Sequence, residues 1–462
     1  MFPARVKDSA PFRAAADGIG WSNSHPKNPI LCRSFSTTTP FSPTLKSHLP
    51  HRQGARIMVM LKGYNQFAGR HWETGSIRNA LAYQGVKAPH TGEAVSEALL
   101  MGLSGGAAFG YFTFEYQGYP PHIALLTRNT FDPFQTLLNR LAVPQEVAQT
   151  KTAAKGEANL IEALESGHAP IVWADMFTLP YNDYPADSGY WGMMPVIVYG
   201  IENDTAYLAD RSACALEIPA ETLTAARARV KQDKFRVMTL GEPDWKRLPE
   251  MVKDAIRQCA SLFDDVPPKG TRDNFGLTGL LHWADMLTNT RNKNSWARYF
   301  EPGLRMWMAL VGDEVQTGAY GFIARQGGNS AERGMFADFL EEAAVILNKT
   351  VIKEAADLFR ESEKTWRVLA NKLLPDEVPT LKEAKTLLDR KESLFIERGA
   401  SALDEIRAAK NRLRALREGA SADFPISGDA VTAYRAGLAA QVLKIHDLER
   451  DAVRAMRAAF NP

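Results

Sequence analysis

The pattern of apolar residues changes at Gly241, and this change limits the folds open to the chain. Before it, short apolar runs such as Pro170–Met176 and Pro195–Tyr199 alternate with stretches of helical period such as Glu157–Glu165. After it, almost every segment repeats its apolar residues with a helical spacing. The sequence therefore predicts an α+β domain whose antiparallel sheet is segregated from its helices, followed by an all-α region.

Two prolines, Pro375 and Pro379, divide the helical region. The segments Leu381–Arg417 and Asp429–Phe460 follow, each with an apolar stripe near heptad spacing. We expect a long antiparallel helical hairpin whose stripes pack on each other, with a homodimer contact through these C-terminal helices as the alternative. The predicted domains are 58–241 (α+β), 242–375 (helical) and 376–462 (hairpin).

Residues 1–57 are predicted to be a disordered leader outside the fold. The chain has 55 Lys and Arg against 53 Asp and Glu, yet this segment has a net charge of +6, so the remainder has −4. It is either a transit peptide, which implies an organellar location, or a leader wrongly joined to the reading frame. Its prolines and many Ser and Thr residues leave little room for an amphipathic helix and favour the second reading. The true start would then be Met58 or Met60, and the location cytoplasmic. The mildly acidic remainder indicates no nucleic-acid partner.

Neither the cysteines nor the least charged stretch indicates a metal or membrane protein. Cys32, Cys214 and Cys259 lack the spacing of a zinc site or a disulfide framework and fit a reducing compartment. The stretch Ala98–Phe114 is interrupted by four glycines, which is typical of a buried helix–turn–strand unit rather than a membrane span. We expect no metal, no cofactor and no membrane segment.

The segment Gln66–Asn79 is the most informative part of the sequence. It resembles the butirosin biosynthesis protein H N-terminal domain family, which has a papain-like fold related to the C39 cysteine peptidases. The resemblance covers roughly residues 60–240, with further matching motifs at Ser96–Ala98, Gly102–Phe112, Asp175–Tyr181 and Val196–Asp210. A second stretch, about 270–372 and strongest at Gln326–Glu342, resembles the helical domain that follows in that family.

The resemblance implies acyl transfer from a carrier-protein thioester to an amine, through a cysteine. That chemistry needs a thiolate at a helix N-terminus, an imidazole, a group that orients the imidazole, and a Gln that stabilises the oxyanion. By motif, Gln66 matches the oxyanion Gln and Asp210 the orienting acid. The nucleophile position holds Trp72 and the imidazole position holds Met194. An indole cannot form a thioester and a thioether cannot carry a proton, so the two reacting positions are lost.

The same mapping predicts a ligand cleft around these positions. Its predicted members are His71, Trp72, Glu73, Ser76, Asp175, Tyr181, Trp191 and Met194. For Ser76, a hydroxyl that bonds to local backbone is the more ordinary role. For the aromatic run before Met194, lining a cleft and capping the core are equally good readings.

Three functions remain open. The leading hypothesis is a catalytically degenerate family member that keeps the cleft to bind a small molecule or an acyl-carrier ligand. The second is an active acyl- or aminoacyl-transferase that positions a thioester and an amine without covalent catalysis, with Asp210, Asp175 or His71 as the base. The third is a helical assembly module in which residues 376–462 recruit a partner protein.

Overall fold

The computed structural model describes residues 58–115, 120–185, 190–264 and 272–460. The predicted leader, residues 1–57, lies outside them. The strands are β1 (Met58–Met60), β2 (Ala107–Phe114), β3 (His122–Arg128), β4 (Gln145–Ala148), β5 (Ile171–Asp175), β6 (Met193–Glu202), β7 (Thr205–Ala209), β8 (Leu216–Pro219) and β9 (Val237–Leu240).

The helices are α1 (Trp72–Tyr83), α2 (Glu97–Leu103), α3 (Pro133–Arg140), α4 (Ala153–Glu165), α5 (Ala220–Ala228), α6 (Leu248–Asp264), α7 (Gly276–Thr288), α8 (Trp296–Tyr299), α9 (Leu304–Leu310), α10 (Arg333–Ile346), α11 (Ile352–Leu373), α12 (Pro379–Arg398), α13 (Leu403–Ala422) and α14 (Asp429–Ala458). Across the part of the chain described here, no helix is both long enough and apolar enough to cross a bilayer.

A seven-stranded antiparallel sheet forms the N-terminal part. The strand order is β4-β9-β5-β6-β7-β8, and β1 also pairs with β6. Strand β6 lies inside the sheet, between β5 and β7, and nine of its ten residues are buried. Its nearly continuous apolar sequence is typical of such a strand. Strands β2 and β3 form a separate two-stranded sheet. The described ranges contain no strand from residue 241 onward, so the predicted α+β class with a helical C-terminal region is confirmed.

The C-terminal helices differ from the predicted hairpin of 381–417 and 429–460 in two respects. The expected helix over 381–417 is broken at Gly399, so the hairpin consists of α12 and α13. Gly399 has a φ of 55°, and a Cβ there would lie 2.8 Å from Ser212 Oγ. Only glycine fits this close approach to the N-terminal part. Helix α14 packs mainly on α7 and α11 instead of on its neighbour in sequence.

A buried ion pair joins the helices behind the N-terminal sheet. Arg333 at the start of α10 meets Glu449 of α14 in a bidentate pair, with Nε–Oε1 and Nη2–Oε2 distances of 2.7 and 2.9 Å. The Ser362 hydroxyl and the Trp366 indole N–H of α11 also donate to this carboxylate. Because donors from α10 and α11 converge on one carboxylate of α14, the network fixes these three helices relative to one another.

Candidate functional site

The site begins at the N-terminus of α1, which follows the motif of the sequence analysis. His71 is the N-cap residue and Trp72 is the first helical residue. The carboxylate of Glu97, at the start of α2, accepts the backbone N–H groups of Arg70 and His71 and the Thr74 hydroxyl, at 2.7–2.9 Å. The positive end of the helix is therefore already occupied by an anion of the protein itself.

A cavity of about 190 Å³ opens beside this helix start. We call it the cleft. Its wall comes from the α1 start, the end of β3, the first half of β6, the π-helical turn Gly321–Gln326 and one side of α12. Trp72 and Met194 both line it. The two positions at which the sequence lacks the reacting groups of the resembling family thus face one cavity.

Arg211 dominates one side of the cleft. Its guanidinium lies 3.9 Å from the centroid of the Trp72 indole and 4.9 Å from the Phe395 ring of α12, which is cation–π geometry with both rings. Phe395 also stacks on Tyr181, with 6.1 Å between the ring centroids. Its helix, α12, lines the cleft through Glu392 and Ile396.

Asp210 and Gln66, the two supporting positions, do not line the cleft. The Asp210 carboxylate accepts the Tyr181 hydroxyl at 3.1 Å and the Arg211 backbone N–H at 2.7 Å. Burial, and then the Asp210 charge, raise the pKa of Tyr181 well above its usual value, so the phenol remains a donor. The Gln66 amide donates to Asn65 at 2.6 Å, away from the wall.

His71 reaches the cleft but is held from both sides. Its Nδ1 lies 3.1 Å from Thr74 Oγ1, and its Nε2 lies 2.8 Å from Glu332 Oε1. Burial raises the pKa of Glu332, but the charges of His71 and of Arg70 outweigh it and leave the pKa below the usual value. Glu332 also has a φ of 68°, a strained conformation for a non-glycine residue.

The other predicted cleft residues fall into two groups. Glu73 lies on the wall, where its Oε2 accepts from Arg128 Nη2 at 3.0 Å. Ser76 donates to the Pro195 carbonyl at 3.0 Å, and the buried carboxylate of Asp175 accepts the Gly192 N–H and the Thr178 hydroxyl, both at 2.8 Å. Trp191 packs half-buried on the core. The structure therefore brings together His71, Trp72, Glu73 and Met194 and leaves Gln66, Ser76, Asp175, Tyr181, Trp191 and Asp210 off the cleft wall.

Neither cysteine in the described part of the chain reaches the cleft. Cys259 Sγ is buried 3.1 Å from the Ala107 carbonyl, and burial raises its pKa far above the usual value. Cys214 Sγ donates to the Glu397 carbonyl at 3.0 Å. Within those same ranges no cluster of His, Cys, Asp and Glu side chains is arranged to hold a metal ion.

The sequence analysis missed the charged residues of the wall. They are Arg70, Arg128, Arg211, Arg325 and Glu392. Three of them were adjacent to residues already singled out, since Arg70 precedes His71, Arg211 follows Asp210 and Arg325 precedes Gln326. Glu392 lies in a helix with no recognisable motif, and only the fold brings it to the cleft.

Two family models match the chain. Residues 71–211 match the family model of Butirosin biosynthesis protein H, N-terminal. Residues 221–390 match the Domain of unknown function (DUF4872). No curated protein matches the chain. The resemblance to the butirosin biosynthesis protein H N-terminal domain family is therefore confirmed over residues 71–211, and the DUF4872 domain follows in the order that the resemblance predicted.

Proposed function

We propose that this chain is a catalytically degenerate member of its acyltransferase-like family, which uses the cleft to bind a ligand rather than to transfer an acyl group through a covalent intermediate. The observation that carries the proposal is that Trp72 and Met194 line one cavity. Neither side chain attacks a carbonyl or carries a proton at neutral pH.

The surroundings of Trp72 support binding. Its indole is covered by the Arg211 guanidinium, so it forms a wall of the cleft rather than a reactive group. The Asp210 carboxylate, which matches an orienting acid, is engaged by Tyr181 and the Arg211 backbone and touches no imidazole. Trp72 and Asp210 are therefore both engaged in contacts within the protein.

A nucleophile built from Thr74, His71 and Glu332 is disfavoured by the direction of the hydrogen bonds. Thr74 donates its one hydroxyl proton to Glu97 at 2.7 Å, so it does not present that proton to His71. Thr74 is also buried and does not line the cleft. This differs from a nucleophile and base pair, in which the hydroxyl donates to the imidazole and faces the substrate.

His71 nevertheless favours the second candidate, an acyl- or aminoacyl-transferase without covalent catalysis. It lines the cleft and has a carboxylate partner 2.8 Å away, as a general base requires. In that mechanism His71 gives up the contact between its Nδ1 and Thr74, so that the lone pair of Nδ1 takes the proton from an attacking amine while the cleft holds the thioester beside it. The Glu332 contact then keeps the imidazole in place.

Intact-mass spectrometry tests the proposal. The full chain is incubated with the acetyl thioester of N-acetylcysteamine, and any acetyl adduct is mapped by peptide analysis. We expect no adduct on any residue of the cleft wall. Trp72→Cys is the positive control, because it places a thiol on that wall at a helix start. Cys214→Ser removes the half-buried thiol outside the cleft.

An adduct on a cleft residue of the unaltered chain would refute the degenerate assignment. The second candidate is tested by adding propylamine as acceptor and following thiol release. Turnover above the uncatalysed rate that is lost in His71→Gln but kept in His90→Gln would establish it. His90 is a suitable control because it pairs with Glu342 at 2.6 Å outside the cleft.

A further inference from the structure

The wall of the cleft has more cations than anions. It carries four arginines, and its carboxylates are Glu73 and Glu392. Glu73 pairs with Arg128 at 3.0 Å and Glu392 with Arg325 at 3.3 Å. Arg211 lies 3.5 Å from Asp210, and the charge of Arg70 acts on the buried Glu332, so carboxylates just behind the wall offset part of these two charges. The wall itself has two more arginines than carboxylates.

The guanidiniums of Arg211 and Arg325 make few hydrogen bonds although both are largely buried. Arg211 donates from Nη2 to Asn182 Oδ1 at 3.3 Å, and Arg325 donates from Nη2 to Glu392 at 3.3 Å. The Nε of each is buried without a hydrogen-bond partner in the described chain. For Arg211 the nearest carboxylate oxygen, Asp210 Oδ1, is 3.5 Å away. An arginine has five N–H donors, so most of these remain unused.

A second cavity, of about 90 Å³, adjoins the cleft and shares Arg211, Arg325 and Glu392 with it. It adds the cations Lys391 and Lys410 and the carboxylates of Asp313 and Glu314. Lys410 pairs with Asp183 at 3.0 Å, and both added carboxylates pair with arginines of α13. Burial, and then the charges of Arg325 and Lys410, hold the pKa of Lys391 well below its usual value. At Arg211, by contrast, burial is outweighed by the charges of Asp210 and Glu392, which raise the pKa.

The backbone and the aromatic rings fix these cations in place. Arg325 lies in the π-helical turn Gly321–Gln326, a rare conformation that is frequent at functional sites. Arg211 is held by contacts with the Trp72 and Phe395 rings, which use the face of a guanidinium and not its N–H donors. Two arginines held this way are suited to a planar or tetrahedral oxyanion.

We infer that the cleft binds an anionic group of its ligand, a carboxylate or a phosphate, between Arg211 and Arg325. The inference rests on the proposed binding function and names the chemistry of the ligand. The anion accepts the unused N–H donors of both guanidiniums. Glu392, which contacts only one of them, opposes an anion at this position.

The test is isothermal titration calorimetry of the full chain with sodium phosphate, sodium succinate and neutral succinamide, in Tris chloride at constant ionic strength. We expect at least one of the two anions to bind and succinamide not to bind. The stronger of the two identifies the group as phosphate or carboxylate. Arg325→Gln should weaken binding about tenfold, since it removes a charge-assisted contact.

Glu392→Gln separates a binding role from a structural one. Removing this carboxylate should strengthen anion binding. If the Arg325–Glu392 pair only maintained the structure, Arg325→Gln and Glu392→Gln would both weaken anion binding. Arg412→Gln is the matched control, because it breaks an Arg–Glu pair of the same helical hairpin on the exposed side, away from the cleft.

The inference is overturned if neither anion binds, if succinamide binds as tightly as succinate, or if Glu392→Gln weakens binding as Arg325→Gln does. These results leave the proposed function standing as long as the thioester yields no adduct on the cleft wall. An adduct found together with normal anion binding would instead remove the proposed function alone.

Discussion

The buried Arg333–Glu449 pair gives the most stringent test of the energetics. Glu449→Gln keeps the size of the side chain but removes its charge and turns one oxygen into a donor. Four donors converge on this carboxylate, and both partners have side chains with 0% exposure. An Arg333 charge left without a counter-ion in such a place costs about 3–5 kcal/mol of the unfolding free energy.

The chain offers a control with the same chemistry and different burial. Glu383 binds Arg412 through two hydrogen bonds of 2.6 and 2.9 Å, a geometry close to that of the buried pair, but both side chains are exposed. Glu383→Gln should therefore cost only about 0–1 kcal/mol, because water replaces the lost contact. Urea unfolding followed by far-ultraviolet circular dichroism measures both variants.

The double variant Arg333→Met, Glu449→Leu shows whether the charge or the packing causes the loss. A buried pair replaced by apolar groups of similar volume often recovers its stability, so this variant should be more stable than Glu449→Gln. Equal losses for Glu449→Gln and Glu383→Gln would refute the reasoning from burial. A double variant that loses as much as the single one would show that shape, not charge, is decisive.

Three further predictions concern the site and its supports. Glu314→Gln should lower the unfolding free energy at pH 7, and the difference from the unaltered chain should shrink as the pH falls below the usual glutamate pKa. Burial raises the pKa of Glu314, but a hydrogen bond from its own backbone and two arginines of α13 lower the pKa by more. Urea unfolding at several pH values measures this difference. Gly328→Ala should cost about 1–2 kcal/mol in the same assay, since Gly328 has a φ of 61° and a Cβ there would lie 2.9 Å from Arg70 Nη2. A double-mutant cycle of Arg211→Gln and Trp72→Ala should give a coupling free energy of about 0.5–1 kcal/mol, and a value near zero would contradict the stacked geometry.

The central architecture could be predicted because its causes are local. A nearly continuous apolar run such as Met193–Ile201 fits a strand buried on both faces, and the helical spacing of Ile352–Leu373 fits a helix with one buried face. This strand and this helix depend on neighbours within a few residues. Trp72 and Met194 could be placed together only because they match two positions of the family that the sequence resembles.

The remainder depends on contacts that no short pattern contains. The stripe of α14 indicates that one face is buried but not which helices cover it. The glycine at position 399 is a local stop signal, but its close approach to Ser212 joins residues far apart in the sequence. Asp175 lies at a strand end, where ligand-binding residues often occur, but its carboxylate accepts a hydrogen bond from the Gly192 N–H instead. Its role was decided by the fold around the next strand, which the sequence does not display.

The loss of an imidazole and the gain of a cationic wall are physically connected in the proposed binding cleft. An orienting carboxylate needs a donor, and with Met194 on β6 there is no imidazole N–H to satisfy it. Asp210 accepts the Arg211 backbone N–H and the Tyr181 hydroxyl instead, and this holds the start of the Arg211 side chain beside Trp72. In the proposed binding cleft Asp210 therefore positions Arg211, the residue assigned to the inferred anion site, instead of orienting an imidazole.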